Sequence, residues 1–414
     1  MPDQVPIGSK IAIICPQYPP EKGAAASRMS NLAAGLRARK MNVRVITALP
    51  NYPTGKIFPN YRRRLWCSET IDGIRVTRLW LYPSNSASAF KRILNMVSLS
   101  VTLLGALPSL YRSRPDTVIL NSPPLPFALC GLMLARLVGA YSVMNISDIW
   151  PQSALDLGAI RKGRLYSMLE RIEHYIYRKS DSVTAQSNES LKHVLDICPG
   201  KRTFLYRNLD RSTEFTNQYP SISSKPLKIV YAGLLGVAQN VYGICQNVDF
   251  KGLGVEFHLY GDGNERPEIE DFIARNPDCR IFLHDSVPKS EMPRILKDFH
   301  ATIIPLKSDI KGAFPSKIYM AMAASLPVFF CGAGEGAEFV NETESGWVTD
   351  PGDYRALSAQ IESLAAMTDG EYRAMRDRIV RLAMGTYDLN EQLDKFSEFL
   401  RLEDSHDEQT SQSA

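Results

Sequence analysis

The sequence predicts an α/β protein of two domains in series, each a doubly wound parallel sheet. Three observations predict it. Short continuous apolar runs recur along the chain and alternate with helix-period segments, as repeated βαβ units require. The alternation restarts after a Pro- and Ser-rich joint at residues 220–226. The length of 414 residues exceeds what one core normally takes and suits two.

The elements follow in order. Lys10–Cys15 is an unbroken apolar run, the mark of a strand covered on both faces. The loop PQYPPEKGAAAS comes next. Arg28–Arg39 then sets Met29, Leu32, Ala33 and Leu36 at helical spacing, and Asn42–Ala48 is the second strand. Ile74–Leu79, Thr117–Asn121, Ala140–Asn145 and Ser182–Ala185 continue the first series. Lys228–Ala232, Glu256–Gly261, Arg280–His284, Thr302–Leu306, Leu326–Phe330 and Gly346–Thr349 form the second, with helices that include Lys289–Phe299 and Lys317–Ala324. The expected domains are 1–220 and 226–385. A helix over 386–402 is expected to pack back on the first domain, and the polar tail 403–414 to be disordered.

Composition excludes several classes. The chain is 44% hydrophobic and 22% charged, as in ordinary globular proteins. No basic segment followed by a long apolar stretch opens it, so no signal peptide is expected. Seven dispersed cysteines without a CxxC pair read as reduced thiols, and the six histidines lack metal-ligand spacing. No cofactor and no metal are expected.

Charge is divided unevenly. Residues 1–200 hold 25 Lys and Arg against 12 Asp and Glu, and the remainder holds 23 against 32. The first half is therefore basic and the second acidic, which predicts an anionic partner for the first alone. Nucleic acid is disfavoured, because no interleaved aromatics or recognised module accompany the basic residues.

Ile93–Tyr111 is 19 residues without a charge, bracketed by Lys91-Arg92 and Arg112. A buried core helix, a helix lying in the plane of a membrane and a true span are the three readings. Pro108 and the flanking charges weaken the span. Arg62-Arg63-Arg64 and Arg161-Lys162-Gly163-Arg164 suit anionic headgroups, which raises the in-plane reading.

Chemistry concentrates in glycine turns at strand ends. Tyr231-Ala232-Gly233-Leu234-Leu235-Gly236 and Tyr260-Gly261-Asp262-Gly263 are two such turns. Lys311-Gly312-Ala313-Phe314-Pro315-Ser316-Lys317 opens an apolar helix, offering amides, a hydroxyl and a cation to a diphosphate. Gly332-Ala333-Gly334-Glu335-Gly336-Ala337-Glu338 begins another helix, where an acid is also favoured by the dipole alone. Near the N-terminus, Tyr18 to Ser27 form a small-residue loop that is not GxGxxG, so a nicotinamide dinucleotide is disfavoured.

Taken together, YxPxxG, YAG, YGDG, VPxxEMP, PSKIYMAMAASLPV, EFV and SGWV…DPGD resemble the retaining GT-B glycosyltransferases of family 4 across nearly the whole chain. Ser147-Asp148-Ile149-Trp150-Pro151-Gln152-Ser153 is similar to the RDLWPES signature of the WcaI/WbuB-like group, which builds bacterial exopolysaccharide and O-antigen. The resemblance implies a GT-B fold of two Rossmann-like domains facing across a cleft. It implies a metal-independent enzyme that moves a sugar from a nucleotide donor, with UDP preferred, to a polyprenyl-diphosphate-linked acceptor. The enzyme would sit peripherally on the cytoplasmic face of the inner membrane, against anionic lipids. The absence of any Asp-x-Asp agrees with metal independence.

On this reading Asp148, Lys317 and Glu338 are the catalytic candidates. The donor candidates are Gly23, Gly233, Gly236, Gln239, Gly261, Asp262, Gly312, Phe314, Pro315, Ser316, Lys317, Met320 and Glu335. Tyr18, Lys22, Ser122 and Trp150 would meet the acceptor. Three departures stand out. The family's Arg and Lys after the YAG strand fall on Leu234 and Gln239. Its ribose-binding Glu falls on Met320, with its partner on Gly312. The usual cleft histidine is missing near Asn121 and Ser122. These losses leave Lys317 as the principal cation and keep open a non-catalytic subunit of a polysaccharide assembly complex.

Overall fold

The structure is a computed structural model that describes residues 9–84, 86, 88–156, 158–209, 219–288, 291–307 and 311–401. The tail at 403–414 and the first residues of the expected helix at 289–299 lie outside them. The described residues fall into two compact units. The first holds those up to 208, 311–313 and 392 onward, and the second holds the rest.

The first unit is built on strands β1 Lys10–Ile14, β2 Asn42–Ala48, β3 Trp66–Ile71, β4 Ile74–Leu79, β5 Thr117–Ser122, β6 Tyr141–Ile146, β7 Ser182–Ala185 and β8 Arg202–Leu205. Their order is β3-β4-β2-β1-β5-β6-β7-β8, parallel except for the β3–β4 hairpin. Helices α1 Ala24–Ala38, α2 Ala89–Leu104, α3 Leu107–Ser113, α4 Leu125–Leu137, α5 Gln152–Asp156, α6 Arg164–Lys179 and α7 Asn188–Ile197 connect them. The central strands are buried along nearly their whole length, which is why β1 and β5 read as continuous apolar runs.

The second unit has β9 Leu227–Ala232, β10 Val255–Tyr260, β11 Ile281–His284, β12 Ala301–Pro305, β13 Val328–Cys331 and β14 Gly346–Thr349. The order is β11-β10-β9-β12-β13-β14, parallel throughout. Its helices are α8 Val241–Asn247, α9 Arg266–Arg275, α10 Met292–Leu296, α11 Lys317–Ala323, α12 Glu335–Glu342, α13 Tyr354–Ala366 and α14 Asp369–Met384. This is the doubly wound order of a nucleotide-binding fold, in which strand order reverses between β9 and β12.

A last helix, α15 Leu389–Arg401, is largely part of the first unit. Gln392 exchanges two hydrogen bonds with the backbone of Arg207, at 2.8 and 2.9 Å. Phe396 and Phe399 pack on Phe204 of β8, each ring centroid 5.3 Å away.

The apolar stretch 93–111 is not one helix. It breaks at Gly105, and α2 and α3 meet at a bend of 44°. Among the described residues no single helix is long and apolar enough to cross a membrane, although the bent pair passes that test by length and composition. One side of α2 is core, with Leu99 and Leu103 buried. The other bares Phe90, Ile93, Leu94, Val97, Val101 and Leu104 to solvent.

Candidate functional site

In open α/β sheets ligands sit beyond the carboxyl ends of the strands where the order reverses. In the second unit that place is formed by the loop after β9 and by Leu306-Lys307 after β12. The β9 loop is laced to the one after β10: Gly233 N–H donates to the Tyr260 carbonyl at 2.9 Å, and Leu235 N–H to that of Asp262 at 3.0 Å. The lacing explains the glycines. A Cβ at Gly261 would come within 1.9 Å of the Gly233 carbonyl oxygen, and one at Gly263 within 2.2 Å of that of Leu235. Exposed Asp262 accepts from the N–H of Gly263, so its carboxylate shapes the turn.

Lys317, the first residue of α11, reaches under this turn. Its Nζ donates to the Tyr231 hydroxyl at 2.7 Å and lies 4.2 Å from the centre of that ring. Tyr231 donates in turn to the Leu234 carbonyl at 2.5 Å. A Cβ on Gly233, whose φ is +148°, would sit 2.4 Å from Lys317 Cε, so only glycine leaves the lysine its course. Among the described residues no carboxylate lies within ion-pair distance of Nζ. Burial without a counter-charge brings the ammonium down to about 7. This is a cation held ready with no anion of its own.

The other second-unit candidates surround α11 and its neighbours. Phe314 is buried and stacks on Tyr319 with centroids 4.8 Å apart. Pro315 packs against the Gly336 backbone, 3.3 Å from where a Cβ would be. Ser316 stands at the α11 N-cap position without a side-chain capping bond, and Met320 is half-buried. Glu335 and Glu338 both lie in the first turn of α12, Glu335 half-buried and Glu338 exposed. The Gly236 carbonyl accepts from Gln239 and Asn240 N–H, at 2.9 and 3.1 Å. Gln239 borders a cavity of about 150 Å³ floored by Pro305, Lys307, Cys331 and Asp350–Tyr354. Its buried Oε1 has no hydrogen-bond partner among the described residues, an acceptor left for a donor yet to come.

In the first unit the order reverses between β1 and β5. The loop after β1 is tied down from two sides. Glu21 Oε1 accepts from Asn51 and Tyr52 N–H, both at 2.9 Å, and buried Arg78 donates to the Pro19 carbonyl. Tyr18 is 1% exposed, and burial pushes its phenol up to about 12, so its ring is core. Lys22 and Gly23 are exposed, with Gly23 at φ +141° against the Tyr52 ring. Ser122 is buried at the end of β5, and Trp150 packs partly on the core.

Gly312 belongs to this unit as well. Its N–H donates to Glu189 at 2.7 Å, and its carbonyl accepts from the hydroxyls of Ser187 and Ser190, at 2.7 and 3.1 Å. The amide that the sequence offered to a diphosphate is already donated. A Cβ there would also strike Ile149, 2.7 Å away. Asp148, partly buried, holds its proton more tightly than an ordinary carboxyl because of burial, opposed by the charge of Arg28.

Arg28 was not among the sequence candidates. It is 3% exposed and donates to Gln186 at 2.9 Å, to Asn121 at 3.3 Å and to the Ser147 hydroxyl. It thereby ties together the ends of β5, β6 and β7. A signal existed: Arg28 stands one turn before Leu32, on the inward stripe of α1 where a charge has no solvent reason to be.

Two family models match the chain in series. The glycosyl transferase 4-like domain covers residues 23–202, and the glycosyl transferases group 1 model covers 226–367. The chain belongs to the glycosyltransferases. It is 24% identical over 387 residues to a protein of Escherichia coli (strain K12) described as a colanic acid biosynthesis glycosyl transferase, WcaI, covering 88% of this chain and 92% of that one. It is 23% identical over 269 residues to the glycosyltransferase WbjE of Pseudomonas aeruginosa, 61% and 67% of the two chains. Among solved structures, Anabaena HepE in complex with UDP superposes with a TM-score of 0.67 at 14% identity, covering 95% of this chain and 99% of that chain. The transferase therefore has the GT-B fold, of two parallel-sheet α/β domains.

Proposed function

We propose that this glycosyltransferase transfers a hexose or deoxy-amino sugar, with retention, from a UDP-sugar to a polyprenyl-diphosphate-linked saccharide in bacterial surface-polysaccharide synthesis. The observation that carries the donor half is Lys317. It is a half-neutral ammonium without a counter-ion, lodged under a glycine turn at the strand-order reversal. A diphosphate there restores the lysine's full charge, and the charge stabilises the departing UDP. No metal is needed for that step when the cation comes from the chain. The unpartnered Oε1 of Gln239 can only accept, so it suits a hydroxyl on the sugar or ribose of the donor and does not replace the family's cation on the diphosphate. HepE, solved with UDP and with UDP-glucose, supports UDP as the nucleotide. WcaI, described as a colanic acid biosynthesis glycosyl transferase, supports the polysaccharide setting.

The acceptor half of the proposal rests on the first unit. Its positive charge suits a lipid diphosphate, and Asp148 and Trp150 both follow the end of β6, where the charge of Asp148 acts on Arg28. The bare apolar side of α2, next to Lys91 and Arg92, suits in-plane docking on the cytoplasmic face of an anionic membrane. UDP release from a panel of UDP-sugars with a lipid-linked acceptor tests the enzyme reading. Folded protein that binds UDP yet turns over no donor supports the non-catalytic subunit instead, a reading motivated by Leu234, Gln239 and Met320.

A further inference from the structure

The first unit carries a second cavity, of about 590 Å³, that takes no part in the loops described above. One wall is a face of the sheet edge. Side chains alternate along strands, and the pairing of β2, β4 and β3 sets Arg44 beside Arg75, Thr77 beside Ser68, and Leu79 beside Trp66 on that face. The other wall is the end of α2 with α3, through Val101, Ser109 and Arg112.

The charges in this groove are unbalanced. Arg44 and Arg75 are direct cross-strand neighbours, an arrangement that like charges disfavour unless something lies between them. Among the described residues neither they nor Arg112 has a carboxylate within 4.0 Å; Arg44 donates only to the Ser109 carbonyl, at 3.4 Å. Burial and the charge of Arg75 both press Arg44 to shed its proton, which an anion would reverse. The opposite end is apolar. Trp66 is 68% exposed and Val101 61%. Leu79, opposite Trp66, is four residues along β4 from Arg75, roughly 13 Å at the rise of a strand. Val101 also belongs to the bare side of α2, so the apolar end opens onto that surface.

We propose that this groove seats one phosphate-bearing lipid of the bilayer, its phosphate between Arg44, Arg75 and Arg112 and its acyl chains along Trp66 and Val101. The inference deepens the membrane-docking reading and rests on it, but it is independent of the sugar chemistry. A soluble phosphate would satisfy the arginines and leave the exposed tryptophan unexplained. A bilayer lipid uses both ends.

The test is flotation of the full chain with vesicles of phosphatidylcholine, alone or mixed with phosphatidylglycerol, read together with Trp66 emission. Subtraction of a Trp66→Phe control isolates that signal. The wild type is expected to float with the mixed vesicles and to shift its Trp66 emission to the blue. Arg44→Gln with Arg75→Gln should weaken that binding by about tenfold or more and abolish the shift, with thermal stability kept. Exposed Arg75→Gln alone, which cannot disturb the core, should give a partial loss. Binding and shift unchanged in both arginine variants overturn the groove while docking through α2 survives. A wild type that ignores both vesicle types overturns the groove and the docking reading together. A wild type stabilised by inorganic phosphate but indifferent to vesicles also overturns the lipid seat.

Discussion

Lys317 is the residue on which donor binding turns, and its titration makes the claim measurable. Its folded-state value of about 7 lies below the ordinary lysine range, so the folded chain binds fewer protons than the unfolded one from about pH 7 to the lysine's ordinary value of 10.5. Folding is therefore penalised in full below about pH 7, and the penalty fades as pH rises through that window. A diphosphate beside Nζ pulls the proton back. UDP binding at pH 8 should take up a substantial fraction of a proton, read by calorimetry in buffers of different ionisation heats. Lys317→Met should abolish the uptake and weaken UDP by roughly 10- to 100-fold, the worth of a charge-assisted contact. Uptake unchanged in the variant would remove Lys317 from the site. Lys317 was legible in the sequence because a glycine loop and a helix start frame it. Arg28 was not, since its meaning depends on Asn121, Ser147 and Gln186, which the fold gathers from far along the chain. Truncation to alanine would take a charged donor from buried Asn121 and from half-buried Ser147 and Gln186. Arg28→Ala should therefore cost about 2–4 kcal/mol in urea unfolding, and an unchanged midpoint would contradict the network.

At the scale of elements, strands whose two faces are both covered, such as β1, β5, β9, β12 and β13, were the plainest in the sequence because burial writes an apolar run, although the half-exposed edges β11 and β14 were found as well. β3 and β8 were missed for the converse reason. β3 is an exposed antiparallel edge, and β8 is a short half-buried edge strand, so neither carries the pattern of a covered strand. The helix expected at 289–299 is found only as α10, Met292–Leu296. The break at Gly105 was likewise not placed in a stretch that carries no charge, although Pro108 weakened a continuous span. Before that break, α2 has a packed side and a bare one, and this division yields a prediction. Val97 is 42% exposed, so Val97→Asp should change stability by no more than about 0.5 kcal/mol, as ordinary surface substitutions do. If α2 lies in a membrane plane, the same change places a charge in the acyl region and should sharply reduce flotation with anionic vesicles. Full binding by Val97→Asp would mean that α2 is not the docking element.

On the scale of the whole molecule, the chain separates two electrostatic tasks. Residues 1–200 carry 25 basic against 12 acidic side chains, mostly at the surface, while the cation assigned to the donor is a single lysine partly buried in the second unit. Exposed charges are screened over about 10 Å at 0.1 M salt, and enclosed ones much less. The two activities should therefore respond differently to ionic strength. Raising NaCl from about 0.05 to about 0.5 M shortens the screening length roughly threefold. Over that range, flotation with phosphatidylglycerol vesicles should fall steeply, since each basic residue near such a surface contributes about 1 kcal/mol at low salt. UDP affinity, measured in the same buffers, should fall far less, because burial shields Lys317 from the added ions. Parallel losses of both would place the nucleotide on the basic first unit and not on Lys317. Salt-insensitive flotation would instead mean that the apolar side of α2 holds the membrane without help from the arginines.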